Sequence, residues 1–472
     1  MIFPKLYYYL FGLNIPLYLQ FIAIGLMCYK PIKKILNFEL ARILLIATPA
    51  ILFFVKIMRN DPFFLSDDFA HLYLSAHYSY IDIFKMALAS PGGIWVGHRI
   101  VPGFWLFKFI FDNFSTNIIP YEIVIFLLNF GNSLLFYFLL AKLLKNRNIS
   151  ALMAFVFGFS YISWISNIHE LLALSFVLCM LISYFVWIKK FNVKTYIISV
   201  IFYILALLTK EITFLLFPVT ILLSFAAGFD LKKNVKRLIP FLAIFLLYSL
   251  FYASRFLGYF GIAKGTGYSM SFSLPIILQN LSGYLFQFFP NLPKAVLIPA
   301  LFIGFAFFDF CYKKFRATPY LASYLLMIFP ALLFSGRSAS YYNYIPSVFL
   351  LAGFGVIIEK IIPKTKILLV VLIIFFGFGL FGLNTKLMEN CFLIQYPCKS
   401  SRKEALLGLA SKINSMAASG ALKSGHEIKV SHEEVDQGDA AESETFKLFL
   451  DSGAAQNFNY SFDSNKDVVL IK

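Results

Sequence analysis

The chain has 472 residues, 60% of them hydrophobic and 19% aromatic, with only 14% charged and a mean hydropathy of +0.77. Soluble domains carry roughly 25% charged residues and about half apolar ones, so this surplus of apolar surface excludes a water-facing globule, a disordered chain and a disulfide-stapled secreted domain. The net charge of +17 does not point to nucleic acid, because Lys and Arg gather in short clusters between apolar stretches, as in a multi-span membrane protein.

A bilayer span needs about 20 mostly apolar residues. Such windows fall at 7–28, 40–58, 119–141, 149–166, 171–188, 195–209, 212–229, 238–254, 292–311, 318–335, 344–358 and 367–384. Lipid offers no partner to a free backbone group, so each window is read as a helix. The shorter ones are expected to tilt or to lie partly in the interface. Asn14, Pro16 and Gln20 interrupt the first, which is the one that can lie in the interface instead of crossing. No small-residue cleavage site ends it, so it is not read as a signal peptide. The expected fold is an all-α polytopic membrane protein with about 11–12 transmembrane helices.

One set of connections is basic: Lys30/Lys33/Lys34, Lys142/Lys145/Arg147, Lys189/Lys190/Lys194, Lys232/Lys233/Lys236/Arg237, Lys313/Lys314/Arg316 and Lys360/Lys364/Lys366. Against these 19 basic residues stand only Glu39, Asp230 and Glu359. The clusters alternate with the windows, which makes this the cytoplasmic face. The other face receives residues 59–118, the turns near 166–170 and 210–211, the segments 255–291 and 335–343, and the tail 385–472. The chain thus divides into a transmembrane part, 1–384, and an extracytoplasmic appendage, 385–472. The tail holds 10 basic and 12 acidic residues. HEIKVSHEEV and DVVLIK in it read as short strands and SRKEALLGLASKINSM as a helix, within a small α/β or partly disordered unit. Cys28, Cys179 and Cys311 read as packing residues, and Cys391 and Cys398 leave a small-loop disulfide open.

The first extracytoplasmic loop, 59–118, is longer than a connection needs. In RNDPFFLSDDFAHLYL, Ser66 is a good N-cap, and an amphipathic helix is expected to begin beside it. Asp67 and His71 are four apart and share a face. Asp67 and Asp68 can complement the helix dipole. They can also act as a general base with an orienting neighbour, or hold a divalent metal. GGIWVGHRIVPGFW follows, where Arg99 can bind phosphate or anchor to lipid headgroups. His169 and Glu170, in SWISNIHELLALSF, stand at the start of an apolar window, where ionisable groups are costly and often functional. Lys210 and Glu211 interrupt two apolar runs in LALLTKEITFLLFP. They read as a tight turn, or as an ammonium for a phosphate beside a carboxylate that orients it. Arg255, in ASRFLGYFG, and Arg337, in FSGRSASYYNYIPS, run against the positive-inside pattern, which an anionic lipid substrate would explain. The sequence contains no zinc-type Cys/His spacing, no Walker motif and no G-x-S-x-G elbow.

A long first loop with an acidic pair, then HRIVP, then TKE, then an Arg followed by YYNYIPS resembles the GT-C membrane glycosyltransferases. The likeness is to protein O-mannosyltransferases, transmembrane O-mannosyltransferases and lipid A aminoarabinose transferases, and it covers most of 59–384 in order. HRIVPG is looser than that family's pattern, and three residues separate Arg337 from Tyr341 where the family is tighter. The resemblance implies a GT-C-like bundle and transfer of a sugar from a polyprenyl-phosphate donor to an acceptor hydroxyl on the extracytoplasmic face, with inversion. Asp67 would be the base and Asp68 its assistant. Lys210, Arg255 and Arg337 would stabilise the lipid phosphate. His169, Glu170 and Glu211 would line the sugar or acceptor site. The resemblance implies no certain cofactor, and it leaves open a divalent metal held by the acidic pair. The implied partners are the polyprenyl-linked donor, membrane lipids and a protein, lipid or glycan acceptor. A bacterial inner membrane with a periplasmic site is expected in preference to an endoplasmic reticulum. Two other readings remain: a transporter or flippase of a lipid-linked or anionic substrate, and an O-antigen ligase or polymerase-like enzyme. The first would want charges near the midplane, whereas here they cluster at one face. The second more often carries its largest loop late.

Overall fold

The computed structural model describes residues 39–59, 64, 67–89, 101–160, 162–229, 237–250, 270–288, 293–312, 316–334 and 340–361, the isolated residues 411, 415 and 419, and three short strands between 427 and 471. The windows 7–28 and 367–384, Arg99, Arg255, Arg337, Cys391 and Cys398 lie outside the described residues.

The described body, 39–361, is helical. In chain order its helices are α1 (Glu39–Arg59), α2 (Asp67–His77), α3 (Tyr80–Ala89), α4 (Val101–Phe114), α5 (Ile118–Leu143), α6 (Arg147–Gly158), α7 (Ile168–Lys190) and α8 (Val193–Thr209). There follow α9 (Leu216–Ala226), α10 (Arg237–Leu250), α11 (Leu274–Phe286), α12 (Lys294–Tyr312), α13 (Thr318–Leu332) and α14 (Tyr344–Ile361). Asparagines start three of them. The side chains of Asn117, Asn146 and Asn192 accept the N–H groups of Ile119, Asn148 and Lys194, satisfying donors that a helix leaves open. α7 ends on Phe191 in the left-handed conformation (φ 51°), which turns the chain sharply into α8.

Five helices, Glu39–Met58, Ile118–Leu143, Ile165–Lys190, Lys294–Tyr312 and Tyr341–Ile361, are long and apolar enough to cross a bilayer. Six more described helices are apolar but only 10–17 residues long. Leu247, Leu250, Ile303, Phe307 and Phe310 point outward, each at least 65% exposed. Such a belt would drive aggregation in water and is at home in lipid. The protein is an all-helical membrane protein in its main body.

Two windows and one connection differ from the sequence reading. The window 149–166 is helical only as far as Gly158, and the chain then bends into a 3-10 turn at Ile165–Asn167. Asn129 of α5 makes that break tolerable. Its Nδ2 donates to Ile162 O (3.0 Å) and its Oδ1 accepts the Ile162 N–H (3.2 Å), supplying the backbone partners that lipid cannot. The window 212–229 opens as a 3-10 turn, Glu211–Leu215, before α9. The segment 255–291, read as a connection, contains α11. Pro275 sits in its first turn, where a missing N–H costs nothing, and the helix was hidden by its short length and by Gln279 and Asn280.

α7 is the central helix, packed against α5 and α8; α1 and α6 pack on α5, and α14 joins α6 to α13. A polar seam runs through this apolar core. Asn132 Nδ2 donates to Leu171 O (2.8 Å), its Oδ1 accepts the Ser175 hydroxyl (2.7 Å), and Tyr344 OH lies 3.3 Å away. Basic connections gather at one end of the bundle. There Lys189 Nζ donates to Lys142 O (2.9 Å), and the Glu359 carboxylate accepts the N–H groups of Lys145 and Asn146. α2, the Ile165–Asn167 turn, the start of α7 and the end of α8 meet at the opposite end.

Asp309, buried near the end of α12, is a lock that the sequence reading passed over. Its two oxygens accept the N–H groups of Arg316, Ala317 and Thr318 at 2.9–3.0 Å, capping α13 from the neighbouring helix. Asp309→Ala is expected to destabilise the protein by about 1–3 kcal/mol, because buried N–H groups lose their acceptor. A fall in melting temperature of the detergent-solubilised protein measures it.

In the tail, β1 (Glu427–Val430) pairs in parallel with β2 (Asn459–Phe462) and antiparallel with β3 (Leu470–Ile471). β1 and β3 fall inside the two segments that read as strands. β2, in QNFNYSF, carries no comparable apolar run.

Candidate functional site

α2 begins at Asp67, whose side chain lies outside the described residues. The next carboxylate, Asp68, is buried, and three residues on, His71 is buried on the same face. That face docks on the turn before α7. Asp68 Oδ1 accepts the backbone N–H of Ser166 (2.7 Å) and also a short bond from the Ser166 hydroxyl. His71 and His169 meet through their Nε2 atoms, 2.7 Å apart. One ring must donate and the other accept, so at most one of the two carries a charge while the bond stands. Phe104 of α4 stacks on His71 (centroids 4.7 Å apart) and lies 5.1 Å from the His169 ring, while Phe107 closes the other side of His71 at 5.2 Å.

One residue beyond His169, the Glu170 carboxylate holds Lys210 Nζ at 2.7 Å, and Glu211 stands 3.8 Å away on the other side. Both side chains of the closer pair are nearly enclosed, at 10% and 5% exposure. Lys210 is there because α8 ends at Thr209 and the chain turns straight into the Glu211–Leu215 turn. Burial works against the ammonium charge, but Glu170 first and Glu211 second more than offset it and hold the group above its ordinary range. Lys210 therefore stays protonated. Tyr341, at the entry to α14, adds to the field at Lys210 and packs edge-on to Trp164 (6.1 Å).

The arrangement brings Asp68, His169, Glu170, Lys210 and Glu211 to one end of the bundle, with His71 between the first two. It brings two carboxylates, Glu170 and Glu211, against one ammonium. Lys210, expected as a phosphate ligand, stands in the structure between the Glu170 and Glu211 carboxylates. Arg99, Arg255 and Arg337, the other expected anion ligands, lie outside the described residues. Among the described residues, no three His, Cys, Asp or Glu side chains cluster as a metal site would require. Of the acidic pair, Asp68 already accepts two bonds from Ser166.

Sequence reasoning missed His71 as a partner of His169, as well as Ser166, Phe104, Gly103 and Glu122. The first two carried a signal: Asp68/His71 and Ser166/His169 each sit three residues apart, so each pair shares a face. Glu122 is fully buried near the start of α5, and an acid inside an apolar window is a candidate by default. Gly103 carried no signal, since its role is to leave room for the His169 ring. No family model, no curated protein and no solved structure matches this chain.

Proposed function

We propose that the chain is an integral-membrane glycosyltransferase of the GT-C type, with a bundle of about 11–12 spans and its site on the extracytoplasmic face. It would take a sugar from a polyprenyl-phosphate donor and pass it to an acceptor hydroxyl. The observation that carries this reading is the polar cluster at one bundle end, where acid, imidazole and ammonium from α2, α7 and α8 converge between apolar helices. Burying so many ionisable groups is costly, and such a cluster at a bundle end suits chemistry at a surface. Transport would instead want such groups near the midplane.

In this reading Asp67 takes the proton of the acceptor hydroxyl. The hydroxyl oxygen forms a bond to the anomeric carbon from the face opposite the donor phosphate. The bond between that carbon and the phosphate oxygen breaks with its electron pair, and polyprenyl phosphate leaves. Asp68 keeps α2 docked through Ser166, so that Asp67 is held at the reacting end. Lys210 neutralises Glu170 and Glu211 and orders the acceptor pocket, while Arg99, Arg255 and Arg337 take the donor phosphate. Arginine suits that role because its planar fork binds two oxygens at once.

The test is incubation of the purified protein with a panel of polyprenyl-phosphate sugars, scored by released polyprenyl phosphate. Asp67→Asn is expected to melt like the wild type yet lose about 100-fold or more in rate, the scale of a missing general base. An Asp67→Asn protein that still moves its substrate across the bilayer would favour a transporter and end the glycosyl-transfer reading.

A further inference from the structure

At the basic end, the termini of α1, α5, α6 and α14 border an open hollow of about 590 Å3 lined by Arg42, Lys145, Asn146, Arg147, Asn148, Glu359 and Lys360. The positive-inside bias accounts for exposed lysines on a loop, but it asks for neither a cavity nor a buried arginine. Arg42 is both buried and held. Its Nε donates to Asn148 Oδ1 (3.0 Å) and its Nη1 to Glu39 Oε2 (2.6 Å), so the orientation of its guanidinium is fixed before anything arrives.

The two carboxylates nearby are already committed. Glu39 serves Arg42, stands 3.6 Å from Arg147 and accepts the Tyr137 hydroxyl. Glu359 accepts the backbone N–H groups of Lys145 (2.6 Å) and Asn146 (2.7 Å). Four cations, Arg42, Lys145, Arg147 and Lys360, thus converge on one hollow against two engaged acids. That excess, with two guanidinium forks among it, matches the chemistry of a phosphate oxygen array.

We propose that this cavity binds a phosphate group, supplied by an anionic phospholipid headgroup of the adjoining leaflet or by a soluble phosphate compound. The site is at the opposite end from the acidic cluster and does not depend on the glycosyl-transfer reading. The cavity volume admits a whole headgroup, and its position at helix ends sets it at headgroup depth for spans of this length.

The experiment places full-length protein in nanodiscs of phosphatidylcholine alone, of phosphatidylcholine with phosphatidylglycerol, or of phosphatidylcholine with inorganic phosphate in the buffer. Thermal melting and retention of phosphatidylglycerol by native mass spectrometry are the readouts. The site variant is Arg147→Gln with Lys360→Gln, both exposed and safe to change. The control variant is Lys190→Gln with Lys194→Gln, exposed on another basic connection. Wild type and control are expected to retain phosphatidylglycerol and to melt higher with it, while the site variant retains about five-fold less per charge removed. If inorganic phosphate alone raises the melting temperature and displaces the lipid, the source is soluble; if only the lipid does so, the source is the membrane. Equal loss in site and control variants, or no shift with either probe, overturns the proposal.

Discussion

Replacing Lys210 by Met is expected to cost the fold about 3–5 kcal/mol, and removing Glu170 as well, in the Glu170→Gln/Lys210→Met variant, to restore much of it. The reason is the asymmetry of buried ion pairs. With both partners present, desolvation and attraction nearly cancel. With the ammonium gone, Glu170 is left enclosed with its closest partner lost, and Glu211 loses its neighbour at 3.8 Å. A carboxylate left so placed costs far more than the intact pair contributed. The neutral pair removes that penalty while keeping the volumes close. Melting curves of these two variants, of Glu170→Gln alone and of the wild type in one detergent give the coupling directly. A second readout separates architecture from chemistry. If the pair serves only to join α7 to α8, the doubly substituted protein should regain the proposed transfer activity along with stability. If it orders the acceptor pocket, stability returns and activity does not.

That pair was half visible in the sequence. Lys210 and Glu211 broke an apolar run and so announced themselves, and His169 and Glu170 did the same at the start of an earlier window. Their union could not be read, because it depends on two helices running antiparallel and ending at the same level. The charge pattern of the loops gave that level only by face, not by contact. The helices themselves were legible wherever an apolar run was long and cleanly bounded, as for α1, α5, α7 and α14. They were misjudged where a side chain elsewhere in the chain decided the matter. Asn129 supplies partners to Ile162 across more than thirty residues, and without it the window 149–166 would be better continued as helix. Asp309 likewise decides the start of α13 from outside that helix. Local pattern cannot show a cap that comes from another element.

The His71–His169 pair belongs to the same class, and Gly103→Ala probes it without touching either ring. A Cβ on Gly103 would stand 1.9 Å from His169 Nδ1 and 2.8 Å from Cε1. No neighbour can absorb that overlap by a small rotation. The His169 ring is pinned by the 2.7 Å bond to His71 and by the Phe104 ring at 5.1 Å. Either the imidazole leaves its place or α4 moves away from α7. Overpacking of this kind costs about 1–3 kcal/mol, which a bundle with this core should survive. Gly103→Ala should therefore remain folded, with a lower melting temperature and a transfer rate reduced about 100-fold if the imidazole pair handles protons in the reaction. Adding His169→Ala to Gly103→Ala should vacate the overlap. Melting should then return to the level of His169→Ala alone, while the rate stays low. Transfer at the wild-type rate in Gly103→Ala would mean that the paired rings only dock α2 onto the bundle, and that the chemistry rests on the carboxylates beside them.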